Sequence, residues 1–350
     1  MFNVGIVGCG VASREHLRTY KSLSEVNLRA VCDSNVRLAE EVSHRWHIPA
    51  YYSDFTSMLQ NEDLNLLSVC IPYNVRTQVV EPAVEKGIHI LVEKPFAMTV
   101  NEADKMLEAG RKNGASICCV HNMLYLPVVR RITSLIREGK IGNLVSADIG
   151  FVSDGSDWIS MDKNHWCHSL PGGRFGEGMP HAIYLALALA SPLKIEGIFA
   201  SKLGSRPWLN PDELRVVFRS SDGRLISLYQ SLNSNRWDIY VNIYGTEAQI
   251  RAKLVNSTMT VVRNRKSYSI VSTVLDELSC SSASLLSYPL NLLSGLRSGW
   301  PYELIIRSFV KSILEKTEPP VSVESMRQTV ELCETICTQL EYMRQQHYDS

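Results

Sequence analysis

A short apolar strand that runs straight into glycines constrains this chain more than any other feature. Residues 4–7 read Val-Gly-Ile-Val and lead into Gly8-Cys9-Gly10, after which a helical pattern runs from Val11 to Leu23. A strand feeding a glycine turn that opens a helix is the start of a dinucleotide-binding βαβ unit. In that geometry Gly8 makes the tight turn, and Gly10 lets the backbone approach a pyrophosphate with no Cβ in the way. The amides of the helix start, from Val11 and Ala12 onward, then meet the phosphates with the positive end of the helix dipole. The third fingerprint position is Ser13, which is small enough for close helix–strand packing.

A second apolar run, Leu28 to Cys32, ends in Asp33, about 20 residues past the glycines, where an acid binds the adenosine ribose hydroxyls. Asp33 also has a plainer reading, as the N-cap of the helix that begins near Val36. Glycines, spacing and acid together agree on a nucleotide site. A carboxylate there repels a 2′-phosphate and is followed by Ser34 and Asn35 rather than an Arg, so NAD is the expected cofactor. NADP is the alternative, with Arg37 one helical turn further on.

The first third of the chain alternates strands with helical patterns: Leu66–Ile71, helix Gln78–Lys86, Ile88–Val92, helix Val100–Asn113 and Ser116–Val120 continue the series. Such alternation predicts a parallel sheet with right-handed crossovers, its strands apolar throughout because helices cover both faces. After about residue 122 the pattern changes to closely spaced candidate strands. These are Leu144–Val152, Ile195–Leu203, Leu214–Arg219, Leu225–Leu232, Ile239–Tyr244, Ala248–Lys253 and Thr258–Val262, which suggest an antiparallel sheet. The chain closes with helical segments Glu303–Lys316 and Val323–Gln345. With 350 residues, more than one core usually holds, two domains are expected, 1–121 and 122–350. Residues 273–300, rich in Ser and Leu without periodicity, read as ordinary packing, a substrate-side loop or a subunit contact.

Thirty-six basic and 36 acidic side chains cancel, which argues against a nucleic-acid or anionic-membrane partner. No run of 18 apolar residues exists, and the first strand begins too early for a signal peptide, so a cytoplasmic protein is expected. Nine cysteines without a CxxC pair fit a reduced compartment.

Three segments beyond the glycine loop can carry chemistry. Ile71-Pro72-Tyr73-Asn74 ends the strand Leu66–Ile71, where a loop either passes over the cofactor or simply turns at Pro72. Glu93-Lys94-Pro95 leaves the strand Ile88–Val92 at the ligand edge of the sheet; its plain reading is a solvated ion pair on a surface loop. The third runs from Pro171-Gly172-Gly173-Arg174 through Glu177 to His181, and then into an apolar helix. Glu177 and His181 are four apart and share a helix face, where a carboxylate can orient an imidazole and raise its basicity. Such a His is a suitable general base for an alcohol proton, although a His opening an apolar helix is often structural. His165 and His168 have no third ligand, so no metal is expected. Arg76 and Arg174 flank the expected pocket and suit an acidic group on the substrate, exposed surface arginines being the alternative. Asn122, just past the strand Ser116–Val120, joins Lys94, Arg174 and His181 as a substrate-side residue.

Taken together, Gly8-Cys9-Gly10, Glu93-Lys94-Pro95 and the Gly172-Gly173…Glu177-x-x-x-His181 block resemble the glucose–fructose oxidoreductase / inositol dehydrogenase / rhizopine catabolism (Gfo/Idh/MocA) family over nearly the whole chain. The resemblance implies an α/β fold: an N-terminal Rossmann dinucleotide-binding domain, then a C-terminal α/β domain with an open, mainly antiparallel sheet. It implies NAD(P)-dependent oxidation or reduction of a sugar, cyclitol or related polyol, and homodimers or homotetramers built through that sheet. The family's lysine falls on Lys94, its acid on Glu177 and its histidine on His181. The candidate nucleotide contacts read from the residues are the glycine loop, Asp33, Ile71, Pro72, Asn74, Glu93 and Lys94. Three positions depart from the pattern: Glu177 stands for the usual Asp, Tyr184 for an acid three residues past the His, and Arg76 for a His. A cofactor-binding sensor without turnover is the alternative on the same fold, supported by the change at Glu177.

Overall fold

A computed structural model describes residues 1–264, 274 and 300–346. The stretch 273–300 discussed above lies outside the described residues apart from 274 and 300. Two compact units divide the chain: Met1–Asn122 with Pro301–Glu331, and Met123–Trp300 with Leu332–Ser350.

The first unit is built on a six-stranded, wholly parallel sheet. Its strands are β1 (Phe2–Val7), β2 (Val26–Cys32), β3 (Ala50–Tyr52), β4 (Leu66–Val69), β5 (His89–Val92) and β6 (Ile117–Cys119), in the order β3-β2-β1-β4-β5-β6. The order reverses between β1 and β4, so the carboxyl ends of these two strands form the switch point at which such sheets bind ligands. Val4, Ile6, Val31, Leu66, Leu67, Ile90 and Leu91 are buried, as continuous apolar strands flanked by helices require. Five helices follow these strands: α1 (Ser13–Lys21), α2 (Val36–Trp46), α3 (Phe55–Asn61), α4 (Thr77–Glu85) and α5 (Val100–Lys112).

Two elements here have no strong sequence signal. β3 is three residues long and only partly buried at the sheet edge, and α3 spans seven residues. The helix Pro301–Glu315 also belongs to this unit, although the sequence boundary at 121 places everything later in the second domain. Ile305, Ile306 and Phe309 are buried, the Tyr302 ring meets His16 of α1 edge-on at 6.2 Å, and Arg307 donates to Ser22 Oγ at 2.9 Å. An apolar stripe on a C-terminal helix does not disclose which core it will cover.

The second unit carries a seven-stranded sheet in the order β13-β12-β11-β7-β10-β9-β8. The strands are β7 (Leu144–Val152), β8 (Leu193–Ser201), β9 (Glu213–Ser220), β10 (Leu225–Ser231), β11 (Asp238–Gly245), β12 (Ala248–Lys253) and β13 (Thr258–Arg263). Every pair is antiparallel except β7 with β10. Alternate residues, among them Ala147, Ile149, Val216, Phe218, Ile226, Leu228, Val241 and Ile243, form one core with α6 (Pro127–Arg137) and α8 (Gly173–Leu189). Between β7 and α8 lies the short helix α7 (Trp158–Met161). Among the described residues no helix is long and apolar enough to cross a membrane, no group of three or more His, Cys, Asp or Glu is placed to hold a metal, and the cysteines are free thiols.

Gly8 is held at φ +93°, and a Cβ there would lie 2.4 Å from the carbonyl oxygen of Cys70. Gly10, by contrast, has no atom within 4 Å of a built Cβ. Gly8→Ala is therefore expected to lower the unfolding free energy by roughly 1–3 kcal/mol from backbone strain, with the clash added to it. Gly10→Ala should change stability far less. Urea denaturation of both variants checks this, and equal stability of the two would contradict the strained-turn assignment.

Candidate active site

At the switch point of the first unit, the Gly8 amide donates to the Cys32 carbonyl at 2.8 Å, which holds the glycine loop against the end of β2. The Asp33 carboxylate accepts the Cys9 N–H at 2.8 Å through one oxygen and the Asn35 N–H at 2.9 Å through the other. Asp33 is not the cap of α2; Asn35 takes that place, its side chain accepting from the Leu38 amide. The loop continues through Gly10, Val11 and Ala12 to α1, and Ser13 Oγ donates back to the Gly10 carbonyl at 2.7 Å. Val11 is exposed. A positive-φ glycine, open space over Gly10 and an acid at the end of β2 fit a dinucleotide whose pyrophosphate lies against the loop.

The loop after β4 holds Ile71, Pro72 and Asn74, the last in a 3₁₀ turn, Tyr73–Val75. Pro72 and Asn74 are exposed and Ile71 partly so. Beneath them Arg76 is buried, which excludes the exposed-arginine reading. Its guanidinium donates to the Ile71 carbonyl at 3.0 Å and to the Lys94 carbonyl at 3.4 Å, clamping the two loops at the ends of β4 and β5. Burial pushes its pKa down from the usual arginine value.

Glu93 is not a solvated partner of Lys94. It is 5% exposed, and its carboxylate meets Nε2 of His16, from α1, at 3.1 Å. His16 Nδ1 lies 3.0 Å from Ser68 Oγ, which in turn meets the Tyr20 hydroxyl at 2.7 Å. Burial alone would push this imidazole toward the neutral form, but Cys70 and Glu93 outweigh it and hold its pKa up at about 10. A protonated His16 donates from both nitrogens, to Ser68 and to Glu93. His16 and Tyr20 were not singled out in the sequence; their only signal is a polar pair at i, i+4 on the buried face of the first helix. Lys94 itself is partly buried, and its peptide bond to Pro95 is cis. Asn122 closes the unit, half-buried at the start of a 3₁₀ turn that runs to Tyr125.

In the second unit, α8 starts from two left-handed glycines, Gly172 and Gly173, at φ +74° and +56°. A Cβ on Gly172 would lie 2.8 Å from Cys337 Sγ. Arg174, Glu177, His181 and Tyr184 then fall three or four residues apart, a polar stripe on an otherwise apolar helix. Arg174 is a structural hub. Nη1 donates to Glu177 Oε2 at 2.9 Å, Nη2 pairs with Asp157 Oδ1 at 3.5 Å, and Nε donates to Ser160 Oγ at 3.2 Å. Partial burial works against the Asp157 carboxylate, but Ser160 and Arg174 outweigh it and hold its pKa below the usual carboxylate range. The His181 ring meets the Tyr184 hydroxyl through Nδ1 at 2.7 Å, and the same hydroxyl accepts the Met123 N–H at 3.1 Å. Sequence reasoning gave the orienting role to Glu177. The structure shows Glu177 engaged by Arg174 and His181 engaged by Tyr184. Asp157 and Ser160 were not foreseen, because a loop sequence does not say which helix it will clasp.

Residues 2–121 match the sequence model of an oxidoreductase family with an NAD-binding Rossmann fold, GFO/IDH/MocA, and residues 129–251 match that family's C-terminal domain. The chain belongs to the Gfo/Idh/MocA oxidoreductase family. Among curated relatives, D-apiose dehydrogenase from Paraburkholderia graminis is 26% identical over 152 residues, 43% of this chain and 40% of that protein. Levoglucosan dehydrogenase from Pseudarthrobacter phenanthrenivorans is 23% identical over 286 residues, 71% of this chain and 72% of that protein. The match thus spans less than half of the first of these relatives. Among solved structures, the WlbA dehydrogenase from Bordetella pertussis, in complex with NADH and UDP-GlcNAcA, superposes with a TM-score of 0.80 at 17% identity. That alignment covers 97% of this chain and 95% of the other, and establishes the shared fold.

The raised pKa of His16, held up by Cys70 and Glu93 against burial, makes stability depend on pH. Because the folded pKa of His16 is raised, the stabilisation is fully present below about pH 6.5, its unfolded value, and is lost as pH climbs through about 10. Urea unfolding across that window should show a steeper fall for the unaltered protein than for His16→Gln. Parallel pH dependences would refute the raised pKa.

Proposed function

We propose that this family member is an NAD-dependent dehydrogenase acting on a CH–OH group of a sugar, cyclitol or nucleotide sugar, or on the corresponding carbonyl. The observation that carries the reading is the glycine loop, with Gly8 in the left-handed region, clear space over Gly10, and Asp33 at the end of β2. The named relatives act as dehydrogenases, which supports turnover over a silent cofactor sensor. Residues 1–121 are assigned to the cofactor and residues 122–350, apart from the stretch Pro301–Glu331 that belongs to the first unit, to substrate and assembly. Gly8, Gly10, Val11, Ala12, Asp33, Ile71, Pro72, Asn74, Glu93 and Lys94 would line the nucleotide, which when bound accepts or supplies the hydride at its nicotinamide ring.

In oxidation, His181 takes the proton of the substrate hydroxyl; in reduction it returns it. The Lys94 ammonium offsets negative charge developing on that oxygen. Glu177, tied to Arg174, fixes the first turns of α8, on which His181 stands. Asn122 and Arg174 are assigned to the substrate side, Arg174 through the loop it clasps. The sheet face opposite the core carries Tyr229, Tyr240 and Tyr244, with the Arg215 guanidinium 3.9 Å above the Tyr229 ring; we assign it to packing between copies in a homodimer or homotetramer. Free thiols support a reducing, cytoplasmic setting.

His181→Ala is expected to lower turnover by roughly 10²–10⁴ while NAD affinity is kept. A panel of sugars, cyclitols and nucleotide sugars, followed at the NADH absorbance band, measures the first, and cofactor titration the second. Equal loss of NAD binding would make His181 structural. For the cofactor, Asp33 should give NAD the lower Kd and Asp33→Ser should narrow the gap. Tighter binding of NADP by the unaltered protein would overturn this and point to Arg37 as the phosphate partner.

A further inference from the structure

We propose that Tyr184 is the positioning residue of His181: its hydroxyl, fixed by the Met123 backbone, engages Nδ1 and so turns Nε2 toward the reacting oxygen. The proposal rests on the assignment of His181 as the proton-transfer group. Tyr184 is 1% exposed, so its ring is packed in the interior. Its hydroxyl accepts the Met123 N–H at 3.1 Å and lies 2.7 Å from His181 Nδ1, with the two rings 5.6 Å apart and tilted by 75°. A backbone amide only donates, so this contact fills one acceptor position of the oxygen, and the hydroxyl meets the imidazole as donor or acceptor according to the tautomer. The 2.7 Å separation is at the short end for a hydrogen bond between these atoms.

A phenol differs chemically from a carboxylate at the same place. A carboxylate only accepts, so it forces Nδ1 to carry a proton and adds a negative charge beside the ring. The tyrosine hydroxyl is neutral, and it both donates and accepts. It donates to the bare Nδ1 of one neutral tautomer and accepts from Nδ1–H in the other tautomer and in the imidazolium. It thereby keeps the ring oriented through both protonation states that a proton transfer visits. Glu177, held 2.9 Å from the Arg174 guanidinium, anchors the preceding turn of the helix, and Tyr184 holds the ring.

The test uses the full chain and two readouts. Side-chain ¹⁵N–¹H spectra of the histidines, with the His181 signals identified by their loss in His181→Gln, report the ring nitrogens directly and require no substrate. Tyr184→Phe should move the His181 Nδ1 resonance and alter the balance of its tautomers, while the far-UV spectrum and the His121 and His89 signals stay in place. An unmoved Nδ1 resonance overturns the proposal. In parallel, with the panel compound that turns over fastest, Tyr184→Phe should lower kcat roughly tenfold to a hundredfold, as loss of an orienting hydrogen bond does, with KM and the NADH Kd within about threefold. Added to His181→Ala, the same substitution should cost nothing further. A full additive loss in the double variant would mean that Tyr184 does not act through His181. If His181→Ala alone keeps its turnover, the proton-transfer assignment fails instead, and the spectra still decide whether the two side chains are coupled.

Discussion

A carboxylate removed from water costs several kcal/mol unless a partner and hydrogen bonds compensate it, and the ligand edge of the first unit is organised around one such group. Glu93 is buried at the end of β5, so a cation must be brought to it. His16 comes from α1, the helix that the glycine loop opens, and Ser68 from β4 supports the far side of the ring. The pair therefore fastens three elements that frame the switch point: the first helix, the fourth strand and the loop that presents Lys94. Arg76 adds a second fastening by bonding the backbones of Ile71 and Lys94. The two loops expected to touch a nucleotide are thus held in place by the buried side chains of His16 and Arg76, neither of which is assigned to the nucleotide.

The second unit solves a different problem on one helix. α8 is apolar enough to form the heart of a core, yet it must present polar chemistry along one stripe. Arg174 links Glu177 with Asp157 and Ser160 of the preceding segment, which ties the start of the helix to the loop before it. Further along, Tyr184 replaces an ion pair by a neutral hydrogen bond within the buried face, where a second carboxylate would need its own compensation.

How much of this was legible differs by scale. The parallel order of the first sheet followed from apolar runs separated by helical periodicity. The seven later strands were visible because they recur at close spacing with turns such as Ser221-Asp222-Gly223 between them; β7 and β12 occupy the residues read from sequence. β3 was missed because three half-exposed residues carry no periodicity. At the site, Gly8, Asp33 and Lys94 could be singled out because their roles depend on backbone position at a strand end, which spacing reports. Partner choice was not legible. Glu177 has both His181 and Arg174 within helical reach, and spacing alone does not say that Arg174 donates to it. His16 and Glu93 are 77 residues apart in the chain, and no local pattern connects them.

The lone parallel pair in the second sheet bears on how this unit comes together. β8-β9-β10 and β11-β12-β13 are each a meander of sequence neighbours, and among the described residues they join through β7, whose partners lie some eighty to a hundred residues later in the chain. Local hairpins close quickly, whereas contacts across such long stretches must first overcome the entropy of a large loop. β7 is thus the keystone, and its two ladders are the long-range pairings that this topology makes slowest to form. α8, which lies between β7 and β8 in the chain, packs into a sheet that is continuous only once β7 is in place. The helix bearing His181 and Tyr184 therefore rests on a sheet whose continuity depends on β7.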